Sequence, residues 1–337
     1  MTMPHLDSLD VIMPVFNEGD AVIRSLNALR NSARRAGISH RLIVVDDGSD
    51  SRDAHILSEL AEATDVLLLR QENRGRFAAR ERGLRHAVTD YVLLLDARVA
   101  LDEECLSFLR HRVEQRHEDI WNLDVHLANR TSLTAAFWMG LTAIWWRDYF
   151  RDRQEVLLDE QNFDRHPKGT GAFLVPRVLL GDAMKRYESL IDDPQLRSDD
   201  TLLLRSLAQS PGIRLSPQAS CRYWGKEGAK KWVRQCYYRG TTFVDGYLTD
   251  PRRAPEYLAL LTLAVTGTGL FALRFPKSFL SMTVGLSILG GFISRSCGAH
   301  PREATAVGVL SFPFSVFFTA GAVRGLRLIQ RNRRDAT

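Results

Sequence analysis

The sequence predicts an α/β chain built on a doubly wound, largely parallel sheet and followed by an apolar C-terminal region. Three observations carry this reading. Short unbroken apolar runs alternate with amphipathic stretches of helical period through the first third of the chain. Each of those runs ends in a loop rich in Asn, Asp or Glu. Three apolar segments between Tyr257 and Val323 dominate the C-terminal part, which closes on arginines.

In chain order, Asp10 to Val15 is a strand, Phe16-Asn17-Glu18-Gly19 its loop, and Ala21 to Ala36 an amphipathic helix. Arg41 to Val45 forms the second strand, running into Asp46-Asp47-Gly48-Ser49, with a helix from about Arg52 to Ala63. Val66 to Leu69 leads through Gln71-Glu72-Asn73-Arg74-Gly75 to a third helix ending near Val88. The fourth strand opens at Tyr91 and reads Val-Leu-Leu-Leu before it stops on Asp96. An apolar run without alternation is the pattern of a strand covered on both faces, and ligands of such sheets gather beyond the strands' carboxyl ends. The four polar loops therefore line one crevice.

Past Asp102, a helix is expected from Glu103 to Arg116 and a strand from Ile120 to Ala128, where Asp124 and His126 alternate with Leu123, Val125 and Leu127. Thr131 to Phe150 carries Phe137, Trp138, Trp145, Trp146, Tyr149 and Phe150 in a stretch with little charge. It reads either as an interfacial helix shaping a lipid channel or as a core helix. Ser198-Asp199-Asp200 opens a further amphipathic helix, which a Gly joins to the short strand Gly212 to Leu215.

Among 337 residues the formal net charge is only +5, but Arg324, Arg327, Arg331, Arg333 and Arg334 concentrate basicity at the end. Next to apolar segments this points to anionic lipid headgroups; no RNA-binding motif accompanies it, so no nucleic-acid partner is expected. The four cysteines form no C-x-x-C pair, which excludes a zinc ribbon and a disulfide framework. The polar first ten residues predict no cleaved signal. The first strand-to-helix turn lacks G-x-G-x-x-G, and no P-loop is present, so a dinucleotide or Walker-type site is excluded. Carboxylates lining the crevice suit hydrogen bonds to a base and ribose, or a hard divalent cation.

Pro14-Val15-Phe16-Asn17-Glu18, Val45-Asp46-Asp47-Gly48-Ser49, Glu72-Asn73-Arg74-Gly75 with Ala79-Arg80 and Gly83, and Leu95-Asp96 together resemble the serial signatures of family 2 glycosyltransferases. The resemblance covers roughly residues 8 to 245 and implies the GT-A fold and a nucleotide-sugar donor. It implies that Pro14, Val15, Glu18 and Asp46 or Asp47 hold the nucleoside, and that Asn73 and Arg80 support the base and phosphate side. Asp96 becomes the first acid of a D-x-D that carries Mg²⁺ or Mn²⁺.

Here the chain departs from the family, because the motif reads Asp96-Ala97-Arg98. Three readings stand: Asp96 ligates the metal alone, Arg98 neutralises the diphosphate itself, or Arg98 pairs with an acid such as Asp102 and points away. Lys168-Gly169-Thr170-Gly171 resembles the family's acceptor-side segment, giving Thr170 and Gly171 as acceptor contacts. By position in the family's acidic pair, Asp200 is the catalytic base and Asp199 its orienting partner. Gln235-Cys-Tyr-Tyr-Arg239 resembles, with altered spacing, a segment of polymer-forming members; Gln235 and Arg239 then touch acceptor or diphosphate, or else belong to a basic interfacial helix.

The expected organisation is a GT-A domain over 1–228, an amphipathic segment over 229–256, transmembrane helices within 257–326 and a basic tail over 327–337. Apolar segments at Tyr257 to Leu273, Phe279 to Ile293 and Ala304 to Val323 give two or three crossings, and their glycines permit self-association. The expected activity is inverting transfer of a sugar from a nucleotide-diphosphate donor to a lipid-linked or glycan acceptor. The expected location is a bacterial-type cytoplasmic membrane, with membrane lipids as partners and the catalytic domain cytoplasmic. The alternatives are a CDP-alditol phosphotransferase and a degenerate scaffold homologue.

Overall fold

The computed structural model of the chain describes residues 5–117, 119–187, 191, 193–196, 201–248, 270–271 and 273–335. They fall into two compact units. The first is formed by Met1–Ala128, Arg153–Tyr187 and Asp199–Trp224, the second by Asn129–Asp152, Glu188–Ser198 and Gly225–Thr337.

The first unit is built on β1 (Ser8–Val15), α1 (Gly19–Ala36), β2 (Ser39–Asp46), α2 (Ser51–Leu60), β3 (Val66–Arg70), α3 (Gly75–His86) and β4 (Tyr91–Leu95). It continues with β5 (Val99–Leu101), α4 (Cys105–Arg116), β6 (Trp121–Leu127), β7 (Val156–Leu158), β8 (Ala172–Pro176), α7 (Arg177–Lys185), α8 (Thr201–Gln209) and β9 (Ile213–Tyr223). The nine strands of the described residues share one sheet in the order β3-β2-β1-β4-β8-β6-β9-β5, with β7 on β9. β1 is parallel to β2 and β4, and β2 to β3, as the apolar runs predict. β8 is antiparallel to both β4 and β6, so β6 runs the same way as β4.

The chain winds outward from β1 to β3 and then returns to place β4 on the other side of β1. That reversal makes the β1/β4 boundary the switch point, where a crevice opens past the carboxyl ends of the strands. Leu93, Leu94 and Leu95 of β4 are fully buried, each contributing about 1.5–3 kcal/mol of apolar burial. Their burial holds the residue that follows, Asp96, at the rim.

In β6, Asp124 is 2% exposed. The register against β9 shifts between Leu123 and Asp124, so the alternation breaks at a bulge within an interior strand. The last strand is far longer than Gly212 to Leu215, because β9 runs on through Pro217 to Tyr223.

The second unit holds α5 (Leu133–Trp145), α6 (Arg147–Arg151), α9 (Ala229–Leu248), α10 (Pro276–Ser296) and α11 (Pro301–Asp335). The aromatic stretch from Thr131 to Phe150 is thus two helices broken at Trp146. Phe137 and Trp138 of α5 pack against Phe314 of α11, and Phe137 also against Trp232 of α9. Where α9 crosses α11 the backbones touch: a Cβ at Gly240 would meet the Phe318 carbonyl, and one at Gly321 the Tyr237 carbonyl. Among the described residues two helices, Pro276–Ser296 and Pro301–Arg331, are long and apolar enough to cross a membrane. The second, 31 residues, is about 46 Å long at 1.5 Å per residue and exceeds a ~30 Å hydrocarbon core. Leu280, Val284, Leu286, Ile288 and Phe292 of α10 are exposed. The expected segment from Tyr257 to Leu273 lies largely outside the described residues.

Candidate active site

β1 ends at Pro14 and Val15; the Val15 carbonyl accepts from Asp47 N–H at 2.8 Å and ties the first strand end to the second. Asn17 adopts a left-handed φ of 54°, and its side chain accepts from Asp50 N–H at 2.8 Å. Glu18, next in line, makes no side-chain cap to α1 and is left to face the switch point.

The two acids after β2 do different work. Asp47 accepts from Gln71 Nε2 at 2.7 Å and Arg74 N–H at 2.8 Å on Oδ1, and from Gly75 N–H at 2.9 Å on Oδ2. Both its oxygens are engaged by the chain, where they fix the start of α3. Asp46 accepts from Ser49 N–H on Oδ1 at 2.9 Å, while Oδ2 has only Arg70 Nε at 3.8 Å. Of the pair, Asp46 is the one with an oxygen that no described residue hydrogen-bonds, although the residue is only 3% exposed. Gly48, at φ 83°, lets the Asn73 backbone come close: a Cβ there would stand 3.0 Å from Asn73 N.

Arg80 on α3 has none of its surface exposed. Its Nη2 donates to Asp96 Oδ1 at 2.9 Å and to the Thr170 carbonyl at 3.1 Å, and its Nη1 donates to Thr170 Oγ1 at 2.5 Å. Asp96 N–H in turn donates to the Gly171 carbonyl at 2.8 Å, and a Cβ at Gly171 would press on Asp96 Oδ2 at 3.1 Å. The structure thus gathers Arg80, Asp96, Thr170 and Gly171, four residues from three sequence blocks, into one contact set.

Arg98 does not pair with Asp102, whose carboxylate accepts from Ser220 Oγ at 2.7 Å and Arg222 Nε at 3.1 Å. Its Nε lies 3.3 Å from Glu18 Oε1 across the switch point. Its Nη1 donates to Tyr223 Oη at 3.0 Å and to the Trp224 carbonyl at 3.1 Å, with the guanidinium 5.0 Å from the Tyr223 ring centre.

Among the described residues no three His, Cys, Asp or Glu side chains converge as metal ligands. Asp96 is already charge-paired with Arg80, and a cation stands where a second acid would be. Among the described residues this donor set, a single carboxylate already paired with an arginine, is a poor fit to a divalent ion.

Asp199 and Asp200, the expected orienting acid and base, lie outside the described residues. Gln235 and Arg239 belong to α9 of the second unit, where the Arg239 guanidinium lies 4.7 Å from the Trp138 ring centre.

Several residues of the rim escaped the sequence reading. Asn122 Oδ1 accepts from Gly169 N–H at 2.8 Å and shapes the loop carrying Thr170. Beside it, Arg153 Nη1 donates to both oxygens of Asp124, at 2.8 and 2.7 Å, with His126 Nε2 3.2 Å from Asp124 Oδ2. Lys168 donates to the Phe163 and His166 carbonyls and lies 4.2 Å from the Phe163 ring centre. Burial pulls its amine down to about 8. Polar Asn122, Asp124 and His126 alternating with apolar residues along β6 were the sequence signal for the Asp124 cluster.

The profile of the family described as "Glycosyl transferase family 2" matches residues 10–173. An undecaprenyl-phosphate 4-deoxy-4-formamido-L-arabinose transferase of Klebsiella pneumoniae (strain 342) is 27% identical over 121 residues, 35% of this chain and 37% of that protein. A protein of the same name from Pectobacterium atrosepticum is 32% identical over 95 residues, 27% of this chain and 29% of its own length. The matches thus span about a third of the curated relatives. Among solved structures, S. aureus TarS 1-349 in complex with UDP-GlcNAc aligns over 98% of this chain and 92% of its own, with TM-score 0.49 and 15% identity. The β1-to-β8 segment that assembles the crevice is the part the family profile covers: residues 10–173 of this chain, folded on a mixed α/β sheet, match the family 2 glycosyltransferases.

Proposed function

We propose that the chain is an inverting glycosyltransferase that moves a sugar from a nucleotide-diphosphate donor to a lipid-linked acceptor at the cytoplasmic membrane. The observation that carries the reading is the placement of Glu18, Asp46 and Asp96 at neighbouring strand ends around the β1/β4 switch point, inside the family domain. Asp46 supports the nucleoside. Thr170 and Gly171, braced by Arg80, form the acceptor-side wall. A sugar hydroxyl needs a carboxylate to take its proton as it attacks the anomeric carbon, and Asp200 is assigned that role. One base facing one attacking hydroxyl gives a single displacement with inversion.

Family 2 enzymes generally use a divalent metal. The described residues offer such an ion only Asp96, already paired with Arg80, and no step is routed through an ion. The lipid acceptor is supported by the names of the Klebsiella and Pectobacterium relatives and by the two apolar helices of the second unit. Those helices, with the terminal arginines, support a membrane-embedded chain with its transferase domain on the cytoplasmic side.

The test is transfer of labelled sugar from UDP-, GDP-, dTDP- and CDP-linked donors into a bacterial lipid extract by the purified full chain. Turnover with one donor class, abolished by Asp200→Asn with donor affinity nearly intact, is the expected result. Absence of both turnover and nucleotide binding across the panel indicates a scaffold instead. Transfer of a phospho-alditol from the CDP-linked donor indicates the phosphotransferase.

A further inference from the structure

The cation at position 98 carries an inference that rests on the sugar-transfer reading and deepens it. Asp96 and Arg98 stand two residues apart at the end of β4, and each is already matched by an opposite charge: Asp96 by Arg80 at 2.9 Å, Arg98 by Glu18 at 3.3 Å. The formal charges of Arg80, Asp96, Arg98 and Glu18 sum to zero. With an acid at 98 beside the same three residues they would sum to minus two. Hard cations are drawn by carboxylate charge, and this cluster offers none in excess. A donor diphosphate arriving at the same switch point brings negative charge that must be met by a cation.

The two arginines differ in what they can do. Arg80 is buried behind Asp96 and locked onto Thr170, whereas Arg98 and Glu18 remain partly open, with side-chain exposures of 20% and 30%. The Glu18 contact is a single approach through Nε, and half-open pairs of this kind are weak. Nη1 of Arg98 is held on the far side by Tyr223 Oη and the Trp224 carbonyl, which fixes the guanidinium plane while leaving its Glu18 edge exchangeable. A planar fork presented this way matches phosphate oxygens better than a lone carboxylate oxygen.

We infer that Arg98 meets the diphosphate of the donor, exchanging Glu18 for phosphate oxygen, and that nucleotide-diphosphate binding by this chain does not require a divalent ion. Glu18 is thereby a placeholder that keeps the guanidinium in the crevice when no donor is bound. No covalent step is involved.

The experiment measures binding of UDP, GDP, dTDP and CDP to the full chain in detergent, each with EDTA and with Mn²⁺, by calorimetry and thermal shift. The nucleotide that binds should do so with closely similar affinity in both media. Arg98→Ala should weaken it about tenfold or more, the loss expected of a charge-assisted hydrogen bond. Arg98→Lys, which keeps the charge without the fork, should fall between. Arg98→Asp, which rebuilds an acid pair with Asp96, should bind only when Mn²⁺ is present. Wild-type binding that disappears in EDTA overturns the inference while leaving the transferase reading in place, as does an Arg98→Ala variant of unchanged affinity. Silence of all four nucleotides in both media removes the transferase reading and this inference with it.

Discussion

Arg80 and Asp96 are joined at 2.9 Å, the arginine wholly buried and the aspartate at the rim. Through this pair a helix behind the sheet sets the orientation of the carboxylate at the strand end, and through Thr170 it sets the opposite wall as well. Replacing Arg80 by Ala removes a buried guanidinium that holds both Asp96 and Thr170 and is expected to cost about 1–3 kcal/mol. Lysine cannot reach Asp96 and Thr170 together and should recover little of it. Denaturant unfolding of the two variants checks this; unfolding midpoints equal to wild type would contradict it.

The two acids after β2 should separate by phenotype. Asp47→Ala loses three hydrogen bonds that start α3 and is expected to destabilise by about 1–3 kcal/mol. Asp46→Ala should be milder in stability and more severe in nucleotide affinity. Melting curves and nucleotide titration on both variants read this out, and the reverse ranking counts against the assignment.

Glycines in the helical unit make a sharp contrast. Gly321→Ala places a Cβ on the Tyr237 carbonyl, which side-chain repacking cannot relieve, so it should lower the melting temperature in detergent. Gly285→Ala meets nothing within 4 Å and gains up to about 1 kcal/mol of helix propensity. Melting temperatures of the two variants should therefore move in opposite directions. Equal shifts would show that the α9–α11 crossing is looser than described.

Lys168 gives a pH signature. Burial is the main cause holding its amine at about 8, against an ordinary value of 10.5. The sign follows from proton counts: between about 8 and 10.5 the unfolded chain keeps a proton that the native state has lost, so this group adds stability as pH rises through that window. Below it both states are protonated, and the desolvation cost is constant. Lys168→Met should lack the rise, so the difference in melting temperature between wild type and variant must change across the window. A difference independent of pH would contradict the placement of Lys168.

The parallel half of the sheet was legible because each of its strands is an unbroken apolar run closed by a polar loop, and the family blocks sit on those loops. The antiparallel half was not. Pro217 and Gln218 interrupt the apolar pattern of β9 and hide its length, and the bulge that buries Asp124 within β6 leaves no mark in the sequence. Single residues of the site could be found by type, but not their partners. Glu18 and Arg98 belong to different loops, and only the adjacency of β1 and β4 brings them together. The same holds for Asp46 and Asp47: side by side in sequence, they are distinguished only by the three donors that α3 and its loop turn toward Asp47.

The central claim is that the nucleotide of the donor lies at the carboxyl ends of β1, β2 and β4. Photolabelling of the full chain with an azido form of whichever nucleoside diphosphate binds, followed by peptide mapping, tests it most directly. Label confined to the peptides carrying Pro14 to Glu18, Asp46 to Ser49 and Asp96 to Arg98, and competed by the unmodified nucleotide, is the predicted result. Competable label that falls on the opposite edge of the sheet, or only in the helices after Gly225, would contradict it.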